Sequence, residues 1–235
     1  MVNESMDSVK ALFARYEILL RDDAFRKLEQ FADLLRSEST IQNLNAASTL
    51  SDIWTRHFLD AAYVLRYLRD DASVIDIGTG GGIPGIPLAI LNPNLRMTLL
   101  DSEMNKVQFC KTAAQKLGLQ IETVCCRAEE YVRQEGVRET YDFAVSRAMA
   151  SGSMLSELSL PFLKVNGALI AMKGRSFDMA AERFDSAANA LGGDVPQMIR
   201  YTLEGEDKVV VCVTKSAPTP EQYPRRFAKI KRSPL

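Results

Sequence analysis

Along the first seventy residues the apolar positions recur every three or four places: Leu12, Tyr16 and Leu19; Phe25, Leu28, Phe31 and Leu35; Trp54, Phe58, Ala61, Leu65 and Leu68. Such spacing lines one side of a helix, and it predicts amphipathic helices over 9–20, 23–35 and 51–68. The last two are separated by 37–49, polar and rich in Ser, Thr and Asn, which reads as a loop ending in an N-cap at Ser51. No strand pattern precedes Ser73. From there short apolar runs alternate with amphipathic segments. Strands are expected over 74–77, 96–100, 121–125, 143–146, 168–172, 197–203 and 209–213, and helices over 85–91, 105–117, 128–134, 152–162 and 177–191. Strand and helix alternating in this way predict an α/β fold, a doubly wound and mostly parallel sheet. The chain divides into a helical extension, 1–70, and a sheet domain, 71–235.

The first strand ends in an unusual turn, Asp76-Ile77-Gly78-Thr79-Gly80-Gly81-Gly82-Ile83-Pro84-Gly85. Glycine lets the backbone take positive φ and lets a ligand approach the main chain, so a strand that ends this way is a candidate cofactor floor. Two spacings compete. Gly80-x-Gly82-x-x-Gly85 formally fits the dinucleotide fingerprint, but that turn should run straight from strand into helix, and Pro84 and Pro87 make the helix start late. Asp76-x-Gly78-x-Gly80-x-Gly82 is similar to motif I of the S-adenosylmethionine-dependent methyltransferases, and it is the reading adopted. Asp101 ends the second strand, twenty-three residues after Gly78. It is placed either to accept hydrogen bonds from the ribose hydroxyls of an adenosine or to cap the following helix; beside the glycine turn, the first reading is favoured. Ala128, Glu129 and Glu130 follow the third strand, as an adenine-edge site or as first-turn acids. Arg147 follows the fourth strand, at the switch point of a doubly wound sheet.

Composition narrows the picture slightly. The 235 residues carry 29 basic and 30 acidic side chains, a formal net charge of −1, so any nucleic-acid surface must be a local patch. The last fifteen residues are such a patch, with Arg225, Arg226, Lys229, Lys231 and Arg232 among prolines; an extended basic tail suited to phosphates is expected there. Four cysteines without C-x-x-C spacing and a single histidine do not make a typical zinc site, so no metal is expected. Neither an export signal nor a spanning segment is visible, which predicts a cytoplasmic protein without membrane contact. His57, on an apolar-spaced helix, reads as a structural histidine bonded to Asp60 or to the 43–45 loop.

Further islands make the resemblance specific: Gly-Ile-Pro-Gly-Ile-Pro at 82–87, Leu99-Leu100-Asp101-Ser102 with Asn105-Lys106, Arg127-Ala128-Glu129-Glu130, Ser146-Arg147-Ala148, Lys173-Gly174 and Tyr223-Pro224-Arg225-Arg226. Upstream, Asn43-Leu44-Asn45 and His57-Phe58-Leu59-Asp60 add to them. In order and spacing, from 41 to 235, the chain resembles the bacterial RsmG or GidB family. The resemblance implies a Rossmann-like methyltransferase sheet with an antiparallel last strand, and transfer of methyl from S-adenosyl-L-methionine to nitrogen 7 of a guanine in 16S ribosomal RNA. It implies cofactor contacts at Gly78, Ile83, Ala128, Glu129 and Arg147, to which the turn and second strand add Gly80 and Asp101. Arg147 and Lys106 are the candidates beside the transfer itself, and Lys173, Arg225 and Arg226 for RNA. The partner would be 16S ribosomal RNA or a small-subunit particle, met by a monomer. The sequence departs from the family pattern at Ala61, at Asn45-Ala46, and at Asp207-Lys208, where an arginine is common and only a displaced positive charge remains. Competing readings are a methyltransferase for another substrate, a non-catalytic RNA or assembly factor, and, ranked last, an NAD-dependent oxidoreductase.

Overall fold

The computed structural model describes residues 5–37 and 49–235. Seven strands form one sheet in the order β3-β2-β1-β4-β5-β7-β6, with β1 at Ser73–Ile77, β2 at Arg96–Asp101, β3 at Ile121–Cys125, β4 at Tyr141–Arg147, β5 at Leu163–Gly174, β6 at Gln197–Leu203 and β7 at Glu206–Thr214. β1 runs parallel to β2 and β4, while β7 is antiparallel to both β5 and β6. The strand order reverses between β1 and β4, so their carboxyl ends splay apart into a crevice.

Alternate residues of the central strands enter two different cores, because successive side chains point to opposite faces. Val74, Leu99, Val145, Ile170 and Val210 face one layer; Ile75, Ile77, Leu100, Leu169 and Val211 face the other. The first layer includes the N-terminal helices α1 (Met6–Ala14) and α2 (Asp22–Ser37). Trp54 stacks on Phe25 at 5.3 Å and Phe58 on Phe31 at 5.7 Å, so the apolar core runs without a break from these helices to the sheet.

The predicted elements need several corrections. The first helix stops at Ala14, and Glu17 beyond it takes a left-handed backbone. The helical run after the second begins under Thr49 rather than Ser51: the Thr49 hydroxyl accepts from the Asp52 amide at 3.1 Å while the Asp52 carboxylate accepts from the Thr49 amide at 2.9 Å, a reciprocal capping box. That run comprises α3 (Leu50–Asp52), a π-helical stretch at Ile53–Phe58 and α4 (Leu59–Val64). The rest of the predicted 37–49 loop and the Asn43 to Asn45 island lie outside the described residues. The expected helix over 177–191 is two pieces, Met179–Glu182 and Phe184–Leu191, broken at Arg183, whose φ is 56°.

The largest correction concerns the tail. It is not an extended arm: Phe227–Arg232 is helical, and Ile230 is fully buried. Arg225 is committed to the fold. Its backbone amide and guanidinium donate three hydrogen bonds to Glu157, at 2.5 to 2.8 Å, and Glu157 is fully buried. A buried carboxylate needs such a partner, so Arg225 has a structural task whatever else it meets.

Arg225→Ala should therefore lower the unfolding free energy by about 3–5 kcal/mol, the cost of leaving a buried charge unpaired. Arg226→Ala, at an exposed position, should stay within about 0.5 kcal/mol. Urea unfolding compares them directly, and matching midpoints would remove Glu157–Arg225 as an anchor.

Candidate functional site

The glycine turn is held from beneath by Asp76, fully buried at the end of β1. Its Oδ2 accepts from the Thr79 hydroxyl at 2.7 Å and from the Gly85 amide at 2.9 Å, tying together the two ends of the turn. Burial pushes the Asp76 carboxyl up to about 7, against the pull of these two donors. Between the tie points Gly78 and Gly80 have φ of 70° and 57°, which a side chain would strain. The amides of Gly78 and Thr79 donate to the Leu100 carbonyl at 2.9 and 3.1 Å, so the turn wraps over the end of β2.

Asp101 continues this wrap. Its two carboxylate oxygens accept from the Gly80 amide at 2.9 Å and the Glu103 amide at 3.0 Å. The following helix, α6 at Met104–Leu117 after α5 at Gly85–Leu91, takes Glu103 as its N-cap, so Asp101 is not that cap.

Above the turn lies a cavity of about 360 Å³ lined by Gly78, Gly80, Asp101, Lys106, Ala128, Glu129 and Arg147. Seven residues singled out in the sequence are thus gathered in one place. Ile83 is not among its walls; it packs into the core beneath the turn. Lys106 is paired with Glu103 at 2.7 Å on the cavity rim. Phe227, from the tail helix, lines the same cavity and was not anticipated; its spacing from Ile230 is the one local signal that the tail has an apolar side.

Arg147 stands between this cavity and a second one of about 620 Å³, whose walls include Arg56, His57, Asp60, Lys173 and Lys208. One guanidinium nitrogen donates to His57 Nδ1 at 2.6 Å and the other to the Arg56 carbonyl at 3.2 Å. Among the described residues the partner of His57 is thus Arg147 rather than Asp60, while the 43–45 loop lies outside them. Arginine can only donate, so Nδ1 is the acceptor and the ring proton sits on Nε2. Burial, reinforced by the Arg147 charge, pulls the His57 pKa down to about 4, leaving the ring neutral near pH 7. Lys173 faces the second cavity with its charge already spent: Nζ lies 2.6 Å from Glu182 and 2.7 Å from the Ala150 carbonyl. Arg225 and Arg226 line neither cavity.

Residues 24–209 match the family model described as rRNA small subunit methyltransferase G. The chain belongs to that family. Curated relatives named "Ribosomal RNA small subunit methyltransferase G" include one from Moorella thermoacetica, 39% identical with 93% of each chain covered, and one from Clostridium botulinum, 35% identical with 92% of each covered. Among solved structures, a SAM dependent methyltransferase from Aquifex aeolicus aligns with a TM-score of 0.55 and 18% identity, covering 74% of this chain and 97% of that one. TrmN from Thermus thermophilus aligns at 0.53 and 19%, covering 69% and 53%. At those identities the structural likeness speaks for the fold, and the family membership rests on the sequence match.

Asp76 gives this family member a pH signature. Its folded pKa of about 7 exceeds the unfolded 3.8, so folding favours the protonated acid. The stability it contributes is complete below the unfolded value and is lost as pH rises through the folded one. Asp76→Asn removes the titration. The melting temperature of that variant should gain on wild type as pH rises from roughly 5 to 7 and hold a constant offset above roughly 8. An offset that does not change with pH would show that Asp76 stays ionised throughout.

Proposed function

We propose that this protein transfers a methyl group from S-adenosylmethionine to nitrogen 7 of a guanine in the 16S ribosomal RNA of the small subunit. The observation that carries the reading is the family match over 24–209, joined to a glycine turn and an acidic strand end that meet at one cavity. The residues present suit the cofactor. A Cβ built on Gly80 would have only the Gly78 carbonyl near it, at 4.0 Å, so the backbone there opens directly onto the cavity. Each Asp101 oxygen accepts one backbone hydrogen and keeps a lone pair for a ribose hydroxyl. A volume of about 360 Å³ falls in the range of ligand sites.

When bound, S-adenosylmethionine supplies an electrophilic methyl group on a sulfonium. Gly78 and Gly80 form the floor beneath it, Asp101 takes the ribose, Ala128 and Glu129 border the base, and Lys106 and Arg147 flank the opening. Nitrogen 7 of guanine carries a free lone pair at neutral pH, so the chain has no proton to remove. Its task is alignment, which can account for about 7–11 kcal/mol of a barrier when two reactants are held at attack distance. The base has to be unstacked or already single-stranded to enter.

Met149 links the turn to this opening. A Cβ on Gly78 would fall 2.5 Å from its Cγ, and Met149 lines both cavities, so Gly78→Ala disturbs the partition as well as straining the turn.

Asp101→Ala should weaken S-adenosylmethionine binding by about 1.5–3 kcal/mol, the range for hydrogen bonds to a charged group, and Gly80→Val should weaken it further by filling the floor. Calorimetry on folded variants reads both, and unchanged affinity in either would remove that residue from the cofactor site. The reaction itself is tested by borohydride and aniline cleavage of small-subunit RNA incubated with enzyme and cofactor. A new 7-methylguanosine scission is the expected result. Methyl incorporation without such a scission would point to another acceptor atom, and no incorporation to a binding factor that keeps the fold.

A further inference from the structure

Three features mark the second cavity. Its outer wall comes from the N-terminal helical run, through Arg56, His57 and Asp60. It shares the segment from Arg147 to Ala150 with the first cavity, so an occupant of one abuts an occupant of the other. Four cations, Arg56, Arg147, Lys173 and Lys208, line it against two carboxylates, Asp60 and Glu182.

Those charges are not evenly matched. Glu182 is paired with Lys173, and Arg56 is held by Asp52 at 3.3 Å and Glu206 at 2.9 Å. Arg147 and Lys208 converge on a single oxygen, Asp60 Oδ2, at 3.9 and 3.6 Å, while the other Asp60 oxygen accepts from the Tyr201 hydroxyl at 2.8 Å. Among the described residues Lys208 also pairs with Glu206, at 3.4 Å and 40% exposed, where solvent weakens its pull. The closest partners of Arg147 are a neutral imidazole and a carbonyl. Arg147 and Lys208 therefore share one buried carboxylate oxygen, and the second acid within reach of Lys208, Glu206, is itself shared with Arg56. The remaining walls are apolar, from Ala148, Met149 and Met172.

We infer that the second cavity receives the acceptor nucleotide, its phosphate between Arg147 and Lys208 and its base against Met149 and Met172, beside the cofactor cavity. The inference rests on the proposed methyl transfer to RNA. A phosphate would give Arg147 and Lys208, which converge on one Asp60 oxygen, a second anion to hold, and a purine suits the apolar wall. The volume, about 620 Å³, has room for a base with its sugar and phosphate. The Lys208 ammonium reaches the cavity from β7. The π-helical stretch carries Arg56 and His57, whose carbonyl and ring hold Arg147 at the partition, so the N-terminal run positions the cation that the phosphate meets.

Lys208→Gln tests this in the full-length protein. With protein-free small-subunit RNA, its kcat/KM for RNA should fall about tenfold or more, the value of one hydrogen bond to a charged group, while S-adenosylmethionine affinity stays within about twofold of wild type. Lys116→Gln, an equal change of charge at an exposed site lining neither cavity, is the control for general attraction to RNA. If the two variants lose the same amount, the cavity has no special claim on the acceptor and the inference fails. A second arm needs no turnover: guanosine 5′-monophosphate titrated into enzyme saturated with S-adenosylhomocysteine should bind wild type about tenfold or more tightly than Lys208→Gln. Equal binding to both overturns the assignment. Were wild type silent on RNA yet Lys208-dependent in this titration, the reaction reading would fall and the nucleotide site would stand.

Discussion

A single buried carboxylate organises this molecule. Asp76 ends β1 with no access to solvent, and one of its oxygens gathers the Thr79 hydroxyl and the Gly85 amide. Burying an acid is costly, and the cost is tolerated because the two donors turn a string of glycines into one defined loop. Gly85 shows how tight that loop is: a Cβ there would lie 2.2 Å from Leu99 Cδ2 and 2.9 Å from Asp76 Oδ2. Once the loop is set, the Gly80 amide meets Asp101, the end of β2 is wrapped, and the cavity floor is fixed. The site is thus a consequence of how one strand ends.

Arg147 carries that order across the crevice. It ends β4, the strand beside β1 at the switch point, and is anchored by a helix ninety residues earlier in the chain. A carboxylate as its main partner would have cancelled its charge. A neutral histidine and a backbone carbonyl fix its direction and leave the charge in place, as the proposed RNA acceptor would require. The family's helical extension thereby has a physical role beyond covering the sheet, since its aromatic residues pack on the same core that supports β4.

Much of this was legible in the sequence because it is local. The β-branched run Val74, Ile75 and Ile77, broken only by Asp76, reads as a strand covered on both faces, and the glycine turn declares itself by composition. Asp101, Ala128 and Glu129 followed from strand ends, since the sheet topology brings carboxyl ends together. What stayed hidden depends on partners distant in the chain. Glu157 and Arg225 are 68 residues apart, and nothing near either marks the other, so the tail read as a free basic arm. Lys173 is paired with Glu182 from the next helix, which its own strand does not reveal. The π-helical stretch has the same apolar spacing as an ordinary helix, so the pattern could not reveal how it presents His57 and the Arg56 carbonyl. Charge alone, read along a chain, does not say which cations are already spent.

The two ends of the chain share a structural logic. The sheet supplies the floor and the partition of both cavities, but each needs a wall from outside it: Phe227 from the tail helix for the first, and Arg56, His57 and Asp60 from the N-terminal run for the second. The tail helix is short, and its hold on the body comes from the buried Glu157–Arg225 pair and from Ile230. A six-residue helix has little stability of its own, so the wall it provides depends on that pair. Loss of the pair would then reach the cofactor cavity through Phe227 without touching the glycine turn. Stability and the wall of the first cavity are coupled at the tail for this reason, whereas at the N-terminal run the coupling is between the aromatic core and the orientation of Arg147.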